Sequence, residues 1–314
     1  MKQFLSLNDV PSLPDLVEQA KEVKSSPLKW KSLGQDKSIC LLFFNSSLRT
    51  RLSSVRAAEN LGMSPTVLDV NNGAWNLEFE DGTVMNGNTA EHVKEAAGVI
   101  GAYFDMVAIR AFAQLKDKED DYAEKIMNAF VQYCGVPVIN LESSTGHPLQ
   151  SLADLITIEE HKTVEKPKVV LTWAPHPRAL PHAVANSFSE WMQAADVEFV
   201  ITHPVGYELA PEFMGDIKPE YDQRKAFEGA DFIYAKNWSS FSEYGKVLSE
   251  DPGWMVTEEK MKLTNGGRFL HCLPVRRNVV VEDAVLDSNR SLVIEEAANR
   301  VVSMQTVLKS ILEG

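Results

Sequence analysis

Ser47, Arg49, Thr50 and Arg51 fall within five residues, directly after the apolar run of residues 39–44 and the small polar trio Asn45, Ser46 and Ser47. Two hydroxyls and two guanidiniums at this spacing suit an anion, because a guanidinium offers two parallel donors that match a phosphate edge. If the segment also opens a helix, its first turn adds unpaired N–H groups and partial positive charge. The pattern would then be a phosphate cradle built without the glycines of a P-loop. Taken alone it equally fits an ordinary capped helix carrying surface arginines, and both readings stand at this point.

Other chemistry-bearing residues lie farther along the chain. Arg110 closes the run 104–110, and in an open α/β sheet the carboxyl end of a strand is where ligands sit; a solvated loop arginine is the plain alternative. His147 precedes Pro148, with Gln150 following. At a helix N-terminus this pair can hydrogen-bond a carbonyl and an amide of a ligand, although a histidine before a helical proline is also an ordinary turn residue. Glu142 follows a strand-like run and could accept a hydrogen bond from an attacking amine, or be a simple helix-start charge. His176 and Arg178, in the proline-dense stretch 174–181, are polar loop residues able to meet a carboxylate.

The elements that must position these residues alternate. Helical spacing over residues 13–24 precedes a strand at 39–44, a helix over 48–60 and a strand at 66–70. A polar loop over 71–88 holds Trp75, either an anchor against the body of the protein or a contact with ligand or a partner subunit. Thr89 is expected to cap a helix over 90–101, followed by the strand 104–110, a helix over 122–133 and a strand at 136–140. A helix over 149–161 leads into a second alternation, with strands at 168–173, 197–201, 231–235 and 268–271 and helices at 182–194, 221–229, 257–263 and 291–312. This is an α/β chain with two doubly wound parallel-sheet domains joined by interdomain helices: residues 1–147, with 291–314 packing back on them, and residues 148–290.

Composition bounds the partners. The 314 residues are 44% hydrophobic, enough for two cores, and 31 basic against 44 acidic side chains leave a net charge of −13. That balance argues against nucleic acid or an anionic membrane surface and for small anionic ligands. Cys40, Cys134 and Cys272 are odd in number and far apart, so no disulfide framework and no metal site are indicated. With no apolar run of membrane-span length and no signal-like start, a cytoplasmic location is expected.

The ordered set Ser47-Leu48-Arg49-Thr50-Arg51, Arg110, His147-Pro148-Leu149-Gln150, His271-Cys272-Leu273-Pro274 and Asn299-Arg300 resembles a transcarbamylase, the family that moves the carbamoyl group of carbamoyl phosphate to an amine. The resemblance spans essentially the whole chain. It implies that the first half binds carbamoyl phosphate and the second an amino acid, with no cofactor. Ser47, Leu48 through its backbone, Arg49 and Thr50 would hold the phosphate. Arg110 and His147, with Thr50, would meet the carbonyl oxygen, Gln150 the carbamoyl nitrogen, and Arg300 would help fix carbamoyl phosphate. Trp75 matches a loop tryptophan that reaches a neighbouring active site, which implies a homotrimer. Cys272 and Leu273 would position the acceptor amine through the backbone, unless Cys272 is only a small buried residue after a strand.

The acceptor is read from departures. The Ser-Met-Gly loop of ornithine members is missing; the comparable stretch is Lys236-Asn237-Trp238-Ser239-Ser240-Phe241. Losing the aspartate that serves a free α-ammonium, while placing Lys236, Arg276 and Arg277 nearby, favours a masked amine with carboxylate handles. This resembles the N-acylornithine branch, whose proline-rich loop also implies a backbone knot. Ala90 stands where succinyl-type members carry proline and acetyl-type members glutamate; a glutamate would repel a succinyl carboxylate and alanine does not, so the lean is to N-succinylornithine over N-acetylornithine. The competing readings are an ornithine carbamoyltransferase and a non-catalytic carbamoyl phosphate or phosphate sensor. A dinucleotide enzyme is disfavoured, since no G-x-G-x-x-G follows the first strand of either half.

Overall fold

The computed structural model describes residues 1–70 and 76–314. Trp75 lies outside the described residues. The chain divides into two compact units, one formed by residues 1–113, 119–149 and 300–314, the other by residues 114–118 and 150–299.

In the first unit, β1 (Ser38–Phe43), β2 (Ser64–Asp69), β5 (Met106–Arg110) and β6 (Val138–Glu142) form a parallel sheet in the order β2-β1-β5-β6. The central strands are buried nearly throughout, as expected of parallel strands covered on both faces. Edge strand β2 is more exposed and carries Pro65, which an edge tolerates because it needs no donor on its outer side. Helices α1 (Leu13–Ser25), α2 (Arg49–Asn60), α3 (Val93–Tyr103), α4 (Lys118–Tyr122) and α5 (Lys125–Tyr133) belong mainly to this unit. The apolar faces of α3 and α5 meet the sheet in a cluster that includes Leu42, Ile109 and Phe130.

Three local expectations need correcting here. The helix of 90–101 starts at Val93, capped by His92, whose Nδ1 accepts from the Lys94 N–H at 3.2 Å; the Thr89 hydroxyl instead donates to Glu78. Residues before it form a short parallel pair, β3 (Leu77–Glu78) with β4 (Glu91–His92). The single helix over 122–133 is two helices, α4 and α5, because Glu124 sits between them in the left-handed region at φ 48°. Its carboxylate accepts from Ser143 Oγ at 2.6 Å and from the Thr145 N–H at 2.7 Å, so the break serves the loop after β6.

The second unit repeats the design. Strands β7 (Lys168–Trp173), β8 (Glu198–Thr202), β9 (Phe232–Lys236) and β10 (Arg268–Leu270) are parallel, in the order β10-β9-β7-β8. Counted along the chain, both sheets place their strands second, first, third, fourth. The helices are α7 (Ala183–Ala194), α8 (Pro211–Met214), α9 (Gln223–Phe227), α10 (Glu258–Met261) and α11 (Asp283–Leu286), packed around Ile233, Phe269 and Val170. Two longer helices, α6 (Pro148–His161) and α12 (Val293–Glu313), contribute to both units.

Candidate active site

Each sheet has its topological switch where chain order reverses, between β1 and β5 in one and between β7 and β9 in the other. The crevice beyond the strand ends at such a point is where open α/β sheets bind ligands. The loops after β1 and β5 in the first unit, and after β7 and β9 in the second, carry several of the candidate residues.

In the first unit, the loop after β1 is tied to the loop after β5. The Phe44 N–H donates to Arg110 O at 2.9 Å, and Asn45 Oδ1 accepts from the Phe112 N–H at 2.9 Å. Asn45 is thus spent on the neighbouring loop, and α2 begins at Arg49 with Leu48 as its cap residue and no side-chain cap, contrary to the capping expected of residues 45–47. An uncapped first turn leaves its N–H groups for an anion. Ser47 and Arg49 are half-buried beside it, and the Leu48 side chain is 68% exposed, consistent with a backbone contribution only. Thr50 is buried, and Arg300 donates to its Oγ1 from Nη2 at 3.1 Å, bringing a charge from α12 to the helix start.

Arg51 does not join them. Its Nη2 donates to Asp69 Oδ2 at 2.6 Å and its guanidinium lies 4.7 Å from the Phe43 ring centroid, so the second arginine of the motif fastens α2 to β2.

Arg110 is the most constrained group of this unit. The register between β5 and β6 slips at Ile109/Arg110 and sets Arg110 opposite Glu142. Glu142 Oε2 accepts from Arg110 Nε at 3.0 Å and Nη2 at 2.8 Å, with both side chains only about an eighth exposed, 12% and 13%. Nη1 donates to Ser46 O at 2.5 Å, linking the guanidinium to the cradle loop. His147 is buried, its Nε2 3.8 Å from Glu142 Oε2, which is beyond hydrogen-bond reach. Glu142 therefore orients Arg110 and lies close to His147. Sequence reasoning missed Glu124, the carboxylate that holds residues 143–145 just before His147.

In the second unit, cations gather around His176, after β7. Arg276 Nε donates to His176 Nε2 at 3.0 Å, which requires an unprotonated Nε2 and leaves Nδ1–H to donate to Arg178 O at 2.9 Å. Burial, then the charges of Arg276, Lys236 and Arg178, hold this imidazole below its usual range, so the ring is neutral near pH 7. Lys236 ends β9, opposite Trp173 at the end of β7. Arg277 points elsewhere, forming ion pairs with Asp283 and Asp287 at 2.9 and 2.7 Å, so it supplies no charge to this cluster.

The loop after β10 turns sharply. The Leu273 N–H donates to His271 Nδ1 at 2.9 Å, and Leu273 sits at φ 53°, a left-handed conformation uncommon for a branched residue. This fixes the backbone on either side of Cys272. Gln150, on α6, is buried and donates from Nε2 to Asp154 Oδ1 at 2.7 Å and to Glu296 Oε1 at 3.2 Å. Asp154 and Glu296 were not among the sequence candidates, though Gln150/Asp154 and Glu296/Arg300 are both four apart on helices, a spacing that places side chains on one face. Ala90 is exposed, its N–H donating to Asn76 O at 3.0 Å just before β4. Among the described residues no cluster of His, Cys, Asp or Glu could hold a metal ion, and no helix is long and apolar enough to cross a membrane.

This geometry offers an anion-binding helix start with oriented arginines in one unit and a carboxylate-binding cluster in the other. Known proteins similar to the chain fit the same division. Residues 2–160 match the carbamoyl-P binding domain of aspartate/ornithine carbamoyltransferases, and residues 181–311 match their Asp/Orn binding domain. The chain is 55% identical to the N-succinylornithine carbamoyltransferase of Bacteroides thetaiotaomicron, over 100% of this chain and 99% of that protein. It is 37% identical to the N-acetylornithine carbamoyltransferase of Xanthomonas axonopodis pv. citri, over 99% and 96%. A crystal structure of an N-acetyl-L-ornithine transcarbamylase glutamate-to-alanine mutant, complexed with carbamyl phosphate and N-succinyl-L-norvaline, superposes with a TM-score of 0.93 at 36% identity, covering 99% of this chain and 100% of that one. On these matches the chain belongs to the aspartate/ornithine carbamoyltransferase family.

Proposed function

We propose that the protein transfers the carbamoyl group of carbamoyl phosphate to the side-chain amine of an N-acylornithine, N-succinylornithine before N-acetylornithine, giving the N-acylcitrulline and phosphate in arginine biosynthesis. The observation that carries this reading is the cluster of Lys236, Arg178 and Arg276 around a neutral His176. Three cations around one imidazole suit an acceptor that presents carboxylates and a masked α-amine. The higher identity to the N-succinylornithine enzyme than to the N-acetylornithine enzyme points the same way.

In this reading Ser47, Arg49, Thr50, Arg300 and the Leu48 backbone hold the phosphate at the start of α2. Arg110, steered by Glu142, and His147 stabilise the oxygen that gains charge as the amine attacks the carbamoyl carbon. Gln150 holds the carbamoyl nitrogen. The backbone around Cys272 and Leu273 aims the amine, and His176, Arg178, Lys236 and Arg276 take the acceptor's carboxylates. As the new C–N bond forms and the C–O bond to phosphate breaks, the amine loses a proton and phosphate, the leaving group, can accept it. Ala90, lacking a charge that would oppose a second carboxylate, supports the succinyl preference. The mutant structure bound to N-succinyl-L-norvaline, in which a glutamate is replaced by alanine, supports it too. A cytoplasmic homotrimer, with Trp75 reaching a neighbouring site, belongs to the same proposal.

The test is carbamoyl phosphate offered with ornithine, N-acetylornithine or N-succinylornithine in turn, with the carbamoylated product measured. The expected order is succinyl, then acetyl, with free ornithine far behind. Turnover of ornithine alone overturns the acyl assignment, and turnover of none favours a phosphate-sensing role.

A further inference from the structure

Gln150 is the residue read above as the contact for the carbamoyl nitrogen, and its amide is useful only in one orientation. To receive an N–H from the carbamoyl group it must present Oε1; turned over, it would present donors to a donor. The second unit contains a device that decides this. Both hydrogens of Gln150 Nε2 are directed at carboxyl groups, Asp154 Oδ1 at 2.7 Å and Glu296 Oε1 at 3.2 Å, and all three side chains are buried. Carboxylate oxygens that accept demand the nitrogen end of the amide, so the oxygen end is fixed on the opposite side. The same Glu296 accepts the His271 N–H through Oε2 at 2.8 Å, one residue before Cys272.

We infer that Asp154 and Glu296 act together as the positioning group of the transfer reaction, locking the Gln150 amide for the carbamoyl nitrogen and anchoring the backbone that leads into Cys272. The inference rests on the reading of Gln150 as the carbamoyl contact. Two buried carboxyl groups beside each other cannot both ionise cheaply. Burial, and then the neighbouring Asp154 charge, push the Glu296 carboxyl far above the usual carboxylate range, so Glu296 keeps its proton and hydrogen-bonds Asp154. Of the two contacts that the Gln150 amide makes, the one with Asp154 is the shorter.

The arrangement makes an unequal prediction for two isosteric changes. Asp154→Asn removes the charge and gives position 154 its own donors, which pull the Gln150 oxygen round. Glu296→Gln stays neutral and can still donate to Asp154 and accept from Gln150. Carbamoyl phosphate and inorganic phosphate affinities, measured by calorimetric titration, separate the effect from general damage, because inorganic phosphate has no carbamoyl nitrogen. Asp154→Asn is expected to weaken carbamoyl phosphate about 10–100-fold, the worth of a charged hydrogen bond, with phosphate affinity within about twofold of the original. Glu296→Gln should restore most of what Glu296→Ala loses. The double variant Gln150→Ala/Asp154→Asn should be no worse than Gln150→Ala alone, since the two residues act as one unit. Equal weakening of both ligands by Asp154→Asn, or full additivity in the double variant, overturns the positioning role while leaving Gln150 as a carbamoyl contact. Unchanged carbamoyl phosphate affinity in Gln150→Ala overturns the reading of Gln150 itself, and the inference with it.

Discussion

The two sheets share a strand order, yet the candidate residues around their strand ends are held by different means. In the first unit the donors are fixed by hydrogen bonds within the protein: Arg110 to Glu142 and Ser46, Thr50 to Arg300, and the loop after β1 to Phe112. In the second, Arg178 and Arg276 are exposed on loops, Lys236 ends β9 and His176 is half-buried. A leaving phosphate and a developing oxyanion need preorganised donors, because reorganising them during the reaction would cost rate. An acceptor's carboxylates need only be held, and flexible cations on the surface suffice and allow the acyl group to vary. On the proposed function, the same scaffold carries a chemical half held by internal hydrogen bonds and a recognition half built on exposed cations.

The sharpest way to break this comparison is in the chemical half. Arg49→Ala should lower kcat/KM for carbamoyl phosphate by about 10²–10³-fold, the scale of a lost donor to transition-state charge, with an unchanged circular dichroism spectrum. A loss below tenfold would remove the start of α2 from the account. In the recognition half, Arg276→Ala should raise KM for N-succinylornithine about 10–50-fold, as expected for a partly exposed charged hydrogen bond, and leave KM for carbamoyl phosphate unaltered. Steady-state kinetics with each substrate varied in turn checks both.

A smaller effect is expected at Ala90. Ala90→Glu should shift the ratio of kcat/KM for succinyl over acetyl acceptor about tenfold toward acetyl, through repulsion of the second carboxylate. A ratio that does not move would take Ala90 out of the specificity argument.

The smallest effect is a pH dependence of the acceptor half. The folded His176 binds its proton below the ordinary value of 6.5, so the unfolded chain takes up the proton first and folding loses stability as pH falls below that value. Once the ring is protonated, Nε2 becomes a donor and repels Arg276. KM for the acceptor should therefore rise a few-fold as pH falls below about 6.5, while KM for carbamoyl phosphate does not follow it. His176→Asn should flatten this rise.

Much of this architecture was legible in residue patterns. The near-continuous apolar runs marked all eight strands of the two four-stranded sheets within two residues at each end, and the abrupt change from Phe44 to Asn45 marked the approach to α2. Helix boundaries set by side chains from elsewhere were not legible. The break at Glu124 exists because its carboxylate is needed by residues 143–145, and His92 caps α3 in place of Thr89 because Thr89 is directed to Glu78. The fates of the arginines were equally hidden. Arg51 looks like half of the cradle until Asp69 arrives from β2, and Arg277 looks like an acceptor contact until Asp283 and Asp287 are brought beside it by α11. The buried Asp154–Glu296 pair joins residues 142 positions apart, and only the i,i+4 spacings on α6 and α12 hinted at it.

The central claim is that the two halves divide the substrates. It is tested most directly by comparing Arg49→Ala with Arg276→Ala in one set of measurements: carbamoyl phosphate affinity by calorimetric titration and acceptor KM from initial rates at saturating carbamoyl phosphate. The account predicts a crossed result, with carbamoyl phosphate affinity lost only in Arg49→Ala and the large rise in N-succinylornithine KM confined to Arg276→Ala. Loss of carbamoyl phosphate affinity in Arg276→Ala, or an acceptor KM that does not change there, would contradict it.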